Sequence, residues 1–125
     1  MKYLGVDFGN KKIGLAISEG ELASPLLTLH VNNLNEGVLK VEEVIKKEGI
    51  EKIVVGLPDS GVRNSVLKFV KKLSKKYSVY VADETLSSKI ALDTMVNLGI
   101  GKKRRKVEDS YSAALILQNY LDEKN

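Results

Sequence analysis

The sequence predicts an α/β fold: a mixed five-stranded sheet, a three-strand antiparallel meander plus two parallel strands, with helices on both faces. Three observations predict it. Short apolar runs follow one another up to Val31 with only polar turns between them. Beyond that point helical periodicity alternates with short β-branched runs. The helical segments are long enough to serve as crossovers, and right-handed crossovers set the later strands parallel to the first.

Each element has its own warrant. Tyr3 to Val6 and Ile13 to Ile17 are apolar runs on either side of Gly9-Asn10-Lys11-Lys12, which reads as a hairpin. Pro25 marks a turn, and Leu26 to Val31 reads as the third strand. His30, near its end, reads as structural and stays outside the site. Asn32 to Asn35 is a polar linker. Leu34, Val38, Val41 and Ile45 recur at helical spacing, with Glu42, Glu43, Lys46 and Lys47 facing outward and Gly49 as the stop. Lys52 to Gly56 contains Ile53, Val54 and Val55, the pattern of a buried parallel strand. Pro58 forbids further pairing there, and Asp59 to Asn64 is a polar loop. Val66, Phe69, Val70, Leu73 and Tyr77 trace the next helical face. Ser78 to Ala82 is the fifth strand and runs into Asp83-Glu84. Ser87 or Ser88 caps a helix through Leu98. Glu108 and Asp109 open a last helix through Asp122. Ala113, Ile116, Leu117 and Tyr120 form its buried face, and the small pair Ala113-Ala114 lets its first turns press on the sheet.

Composition narrows the function classes. The 125 residues suit one domain over residues 1–125, with 43% hydrophobic and 29% charged residues. There is no Cys, so thiolate sites and disulfides are excluded. A metal would have to be held by oxygen or by the lone His30, which points to magnesium or manganese. No run approaches the roughly 18 apolar residues of a membrane span. The N-terminus lacks the pattern of a signal peptide, so the expected location is cytoplasmic. The formal net charge is +4. Two clusters carry it: Lys102, Lys103, Arg104, Arg105 and Lys106 in one block, and Lys71, Lys72, Lys75 and Lys76 along one helical segment. Such clusters suit a polyanion, although a single charge run usually marks a solvated face.

The chemistry centres on Asp7. It ends the first strand, at the sheet edge where sites in α/β proteins gather. Gly9 and Gly14 remove side chains beside it, which leaves room for a group such as a phosphate to approach the backbone. Asp83-Glu84 ends the fifth strand. Asp109 lies one turn before Ala113 and shares its inward face. Each acid has a bland reading: a turn-capping aspartate, a polar strand end, a first-turn carboxylate complementing the helix dipole. Three such acids converging on one sheet edge are harder to assign to coincidence. They would repel one another, and divalent cations remove that repulsion. Two such ions would stabilise both the attacking and the leaving oxygen of a phosphodiester.

These stretches resemble the YqgF-type family of pre-16S ribosomal RNA nucleases and Holliday-junction resolvase-like proteins, of ribonuclease H-like fold. The resemblance rests on four pieces in order: Val6-Asp7-Phe8-Gly9-Asn10-Lys11-Lys12-Ile13-Gly14, Ile53-Val54-Val55-Gly56-Leu57-Pro58, Asp83-Glu84-Thr85-Leu86-Ser87-Ser88, and Asp109-Ser110-Tyr111-Ser112-Ala113-Ala114 with the helix that follows. The sequence departs at Thr85, where the family usually carries Arg, and in a shorter loop after Pro58.

The resemblance implies Asp7, Glu84 and Asp109 as a catalytic, metal-holding triad for two magnesium or manganese ions, with Asp83 as the runner-up to Glu84. Lys11, Lys12 and the block Lys102, Lys103, Arg104, Arg105, Lys106 are the expected phosphate contacts. It implies an endonuclease on structured RNA, acting on precursor 16S ribosomal RNA, as a monomer or homodimer. The nearest rival is a resolvase of four-way DNA junctions. Two others are a non-catalytic nucleic-acid-binding relative and an ATP-binding module of the actin or sugar-kinase type, which would need a second domain.

Overall fold

The structure, a computed structural model, describes residues 1–58, 61–83 and 108–124. Five strands are formed: β1 (Tyr3–Phe8), β2 (Lys12–Ser18), β3 (Ala23–His30), β4 (Lys52–Leu57) and β5 (Ser78–Asp83). Among the described residues three helices accompany them: α1 (Leu34–Glu48), α2 (Arg63–Ser74) and α3 (Glu108–Lys124). The sheet order is β3-β2-β1-β4-β5. β1, β2 and β3 pair antiparallel, and β4 joins β1 and β5 in parallel. The mixed five-stranded sheet with helices on both faces is therefore the fold observed. The helix expected from Ser87 or Ser88 to Leu98 lies outside the described residues.

Strand alternation divides the core in two. Leu4, Val6 and Phe8 of β1, with Ile13, Leu15, Ile53 and Val55, meet Val41 and Ile45 of α1 and Val66, Phe69 and Leu73 of α2. Tyr3, Ala16 and Val54 face the other way, against Ala113, Ile116, Leu117 and Leu121 of α3. The α3 side is built for close approach: a side chain at Gly5 would meet the Ala113 carbonyl oxygen at 2.7 Å and Leu117 Cβ at 2.8 Å. Ala113 thus supplies one half of the close packing, and strand glycines supply the other.

Local chemistry sets the ends of α1. Asn33, in extended conformation, accepts a hydrogen bond from the Glu36 amide at 2.8 Å, which satisfies one of the free donors of the first turn. Gly49 adopts φ 69°, and its amide bonds back to the Ile45 carbonyl, a left-handed cap that glycine takes without steric cost. The expected polar linker Asn32 to Asn35 is in fact the cap and first turn of this helix.

One expectation is corrected. Pro25 is not in the turn before β3. It lies inside the strand, opposite Ala16. Leu15 pairs with Leu27 and Ala16 with Pro25, so the register shifts there and Leu26 is bulged out. Because β3 is an edge strand, a residue without an amide hydrogen costs no ladder bond on its open side. Among the described residues no helix is long and apolar enough to cross a membrane.

Candidate active site

Asp7 takes its direction from β1. Tyr3 and Gly5, two and four positions earlier, face α3, and alternation gives Asp7 the same face. It is half-buried at the end of the strand, with Gly14 of β2 as its Cα partner. The hairpin between them is tight, with the Gly9 amide donating to the Lys12 carbonyl at 2.8 Å.

Asp109 arrives from the other direction, in the first turn of α3, and is also half-buried. Its position is set by Gly14. A side chain there would fall into the Asp109 backbone and within 2.8 Å of Asp109 Cβ. The start of α3 therefore sits in the space that Gly14 leaves open, one strand position across from Asp7.

This corrects the reading of the two glycines as room for a phosphate. The space at Gly14 is filled by Asp109. The space at Gly9 is closed by the Lys12 carbonyl oxygen, 2.8 Å from where a Cβ would lie. Both glycines serve close packing of the chain on itself, and a ligand would have to approach the carboxylates from beyond them.

The remaining expected residues divide by location. Lys11 and Lys12 are exposed on the hairpin, and the Lys11 carbonyl accepts from the Val31 amide at 2.9 Å. Asp83 is the last residue of β5, with Leu57 as its Cα partner. Glu84 and the block Lys102, Lys103, Arg104, Arg105 and Lys106 lie outside the described residues. Among the described residues no three acidic, histidine or cysteine side chains stand together as a metal-holding group. His30 is exposed, and its carbonyl accepts from Lys40 Nζ at 2.8 Å.

One neighbour was not legible in the sequence. Thr28 of β3 is the Cα partner of Gly14, so Thr28, Gly14 and Asp7 form one row across three strands. The Thr28 hydroxyl oxygen is buried and has no hydrogen-bond partner among the described residues. Only the strand register reveals this, and the bulge at Leu26 hides that register from simple alternation.

Three groups elsewhere in the fold are displaced from their ordinary protonation range. Burial, and then the hydrogen bond to Glu42, raise Tyr77. Burial raises Tyr120. The Lys40 ammonium holds Glu36 below the usual carboxylate range against a smaller opposing effect of desolvation.

The architecture is a RuvC-like ribonuclease H fold. The fowlpox virus Holliday junction resolvase superposes with a TM-score of 0.69 over 100% of both chains, at 13% identity. Thermus thermophilus RuvC, in complex with a Holliday junction substrate, superposes with a TM-score of 0.61 over 98% of this chain and 96% of its own, at 18% identity. At such identities the likeness concerns the fold.

Sequence gives the closer kinship. Residues 1–123 match the RuvX family, described as Holliday junction resolvase, and the chain belongs to that family. A relative from Anaplasma marginale named "Putative pre-16S rRNA nuclease" is 40% identical, covering 97% of this chain and 84% of its own. One of the same name from Caldanaerobacter subterraneus is 38% identical, covering 98% and 96%.

Proposed function

We propose that this protein is a metal-dependent endonuclease that hydrolyses phosphodiester bonds in structured RNA, with maturation of precursor 16S ribosomal RNA as its role. The observation that carries this reading is the seating of Asp109 on Gly14, the strand partner of Asp7. It draws two half-buried carboxylates, distant in sequence, to one end of the sheet. Carboxylates gathered at one end of a sheet offer hard oxygen donors that suit a divalent cation. The names of the relatives support the substrate.

Asp7, Glu84 and Asp109 are the proposed catalytic and metal-holding residues. Tyr80 and Ala82 lie on the α3 side of β5. The resemblance assigns the site to Glu84 rather than Asp83. The donors are oxygens, which suit magnesium or manganese, and the chain has no Cys to favour a softer metal. Bound between these carboxylates, two such ions would stabilise charge on the attacking and leaving oxygens of a phosphodiester. Asp7 and Asp109 come from a strand and a helix, rigid elements that hold their carboxylates in register. Lys11 and Lys12 on the hairpin, and Lys102, Lys103, Arg104, Arg105 and Lys106, are the proposed phosphate contacts.

A second reading, resolution of four-way DNA junctions, is favoured by the description of the family. The two differ in substrate shape. A junction is two-fold symmetric, so a resolvase would act as a dimer with two facing sites.

The test is cleavage of a precursor ribosomal RNA and a synthetic four-way junction side by side, with magnesium and with manganese. Metal-dependent cutting of the RNA is expected, and it should vanish in Asp7→Asn. Equal activity in that variant would overturn the mechanism. Cutting of the junction alone would move the assignment to the second reading.

A further inference from the structure

We infer that the outer face of α2 is a second phosphate-binding surface, which holds duplex RNA by its backbone on the side of the sheet opposite the carboxylates. The inference rests on the proposed substrate class and deepens it. From Arg63 to Lys76 the chain carries six basic residues and no acidic one. Lys68, Lys71, Lys72 and Lys75 are all exposed. Lys75 keeps right-handed helical angles just past the end of α2, so the four stand at i, i+3, i+4 and i+7 of one helical track. At 3.6 residues per turn they span an arc of about 100°. Val66, Phe69 and Leu73, buried in the core, lie on the opposite side.

The structure changes the grouping that sequence suggested. Lys76 belongs to a different surface: its ammonium lies 3.4 Å from the Glu42 carboxylate of α1. Lys68 takes its place on the track, although it stands apart from the other lysines in the sequence. No ion pair to any of the four is found among the described residues.

A merely solvated face would be built differently, and α1 shows how. There Glu36 pairs with Lys40 at 3.2 Å, and Glu42, Glu43 and Glu48 alternate with Lys46 and Lys47. On α2 the pairs Lys68–Lys72 and Lys71–Lys75 are like charges at i, i+4, which weakens a helix. The helix dipole compensates lysines near the C-terminus, but it fades within the last turn and leaves Lys68 outside its reach. Lysines offer point charges rather than the planar fork of arginine, so the face suits repeated phosphates without base reading. It does not suit insertion into a membrane, because the apolar side of α2 is spent in the core.

The site and this track are connected by topology. β1 and β4 are parallel, so their C-terminal ends share one sheet edge, where Asp7 lies. α2 starts from that edge, with Arg63 Nη1 donating to the Pro58 carbonyl at 3.0 Å. Its lysine track then leads away down the far face. RNA engaged at the edge has a charged path along which its flanking duplex continues.

The experiment is fluorescence anisotropy of a short labelled RNA duplex with the full chain, in chelator so that no cleavage occurs, across a range of salt. The quadruple variant Lys68→Gln, Lys71→Gln, Lys72→Gln, Lys75→Gln should bind at least about tenfold more weakly near 100 mM salt. Its salt slope should fall by about three to four, one per lost phosphate contact. Its melting midpoint should hold or rise, since like charges are removed. As a charge-matched comparison, K71Q/K75Q should lose far more affinity than K46Q/K47Q on α1. Unchanged affinity and slope in the quadruple variant would overturn the inference. So would equal losses in the two double variants, which would indicate net charge alone, or selective loss of binding to an acidic peptide with RNA binding retained. Asp7→Asn separates this from the catalytic reading: it should bind the duplex like wild type. If it also cleaves like wild type, the site assignment fails while the α2 surface stands.

Discussion

Gly14 holds Asp109 in place by lacking a side chain. The Asp109 backbone occupies the space a Cβ would take, and the strand partner of Gly14 is Asp7. The two acids are joined through a glycine that bears no chemistry itself. Gly14→Ala should therefore act on both stability and activity. A methyl group driven into the start of α3 must displace backbone, which costs about 1–3 kcal/mol where neighbours yield. Urea unfolding should show that loss, and cleavage by the remaining folded protein should fall as Asp109 moves from its seat. An alanine variant with wild-type stability and rate would show that the close approach is dispensable.

Asp7→Asn and Asp109→Asn test the carboxylates without changing their shape. Each removes one negative charge from a half-buried position while keeping a planar polar group. If these charges hold cations at the scissile phosphate, cleavage should fall by about a hundredfold or more, in line with the loss of a preorganised electrostatic group. Both variants should stay folded without metal, read from the melting midpoint. The stabilisation that wild type gains from manganese should shrink in both variants, as binding linkage requires.

Much of this fold follows from short local signals. The β-branched run Ile53-Val54-Val55, coming after a helical segment, reads as a buried parallel strand. The spacing of Val41 and Ile45 gave the buried face of α1, and Gly49 gave its end. Pro25 misled because its meaning depends on whether a strand lies at an edge, a property of the assembled sheet. Gly14 misled for a related reason: an absent side chain shows that something comes close, but not what. Asp109 could be assigned an inward face from its phase with Ala113, whereas its seat on Gly14 needed the packing of α3 on β1, β2 and β3. Lys68 belongs with Lys71, Lys72 and Lys75 by helical geometry, yet adjacency in sequence drew Lys76 into the group instead. Glu84 and the basic block from Lys102 to Lys106 rest on resemblance and lie outside the described residues.

Tyr77 gives a prediction at high pH. Its hydroxyl donates to Glu42 at 3.2 Å, and burial first, then this acidic neighbour, raise its pKa above the usual value of about 10. A group whose folded-state pKa is raised contributes stability that is fully present below the unfolded pKa. That contribution is lost as pH rises through the folded value. Stability should therefore decline from about pH 10 upward, where the unfolded chain ionises first. Tyr77→Phe should flatten this decline, measured as the denaturation midpoint between pH 8 and 11. At pH 8 the variant shows only the loss of the hydrogen bond. A decline of the same steepness in both proteins would remove Tyr77 from the account.

Thr28 gives a prediction of opposite sign to most core substitutions. Its hydroxyl oxygen is buried without a partner among the described residues, and an unsatisfied buried polar group costs about 1–3 kcal/mol. Valine has nearly the same shape and no hydroxyl, and it suits a strand. Thr28→Val should thus stabilise the protein by about 1 kcal/mol, read as a higher urea midpoint with an unchanged slope. Thr28→Ser keeps the hydroxyl and loses a methyl group, so it should destabilise. The row from Thr28 through Gly14 to Asp7 makes the accompanying activity informative. If the valine variant is more stable and cleaves at the wild-type rate, the hydroxyl is a packing fault tolerated at a sheet edge. If it is more stable and slower, while the serine variant keeps its rate, the unpaired hydroxyl is retained for the site at a cost to the fold.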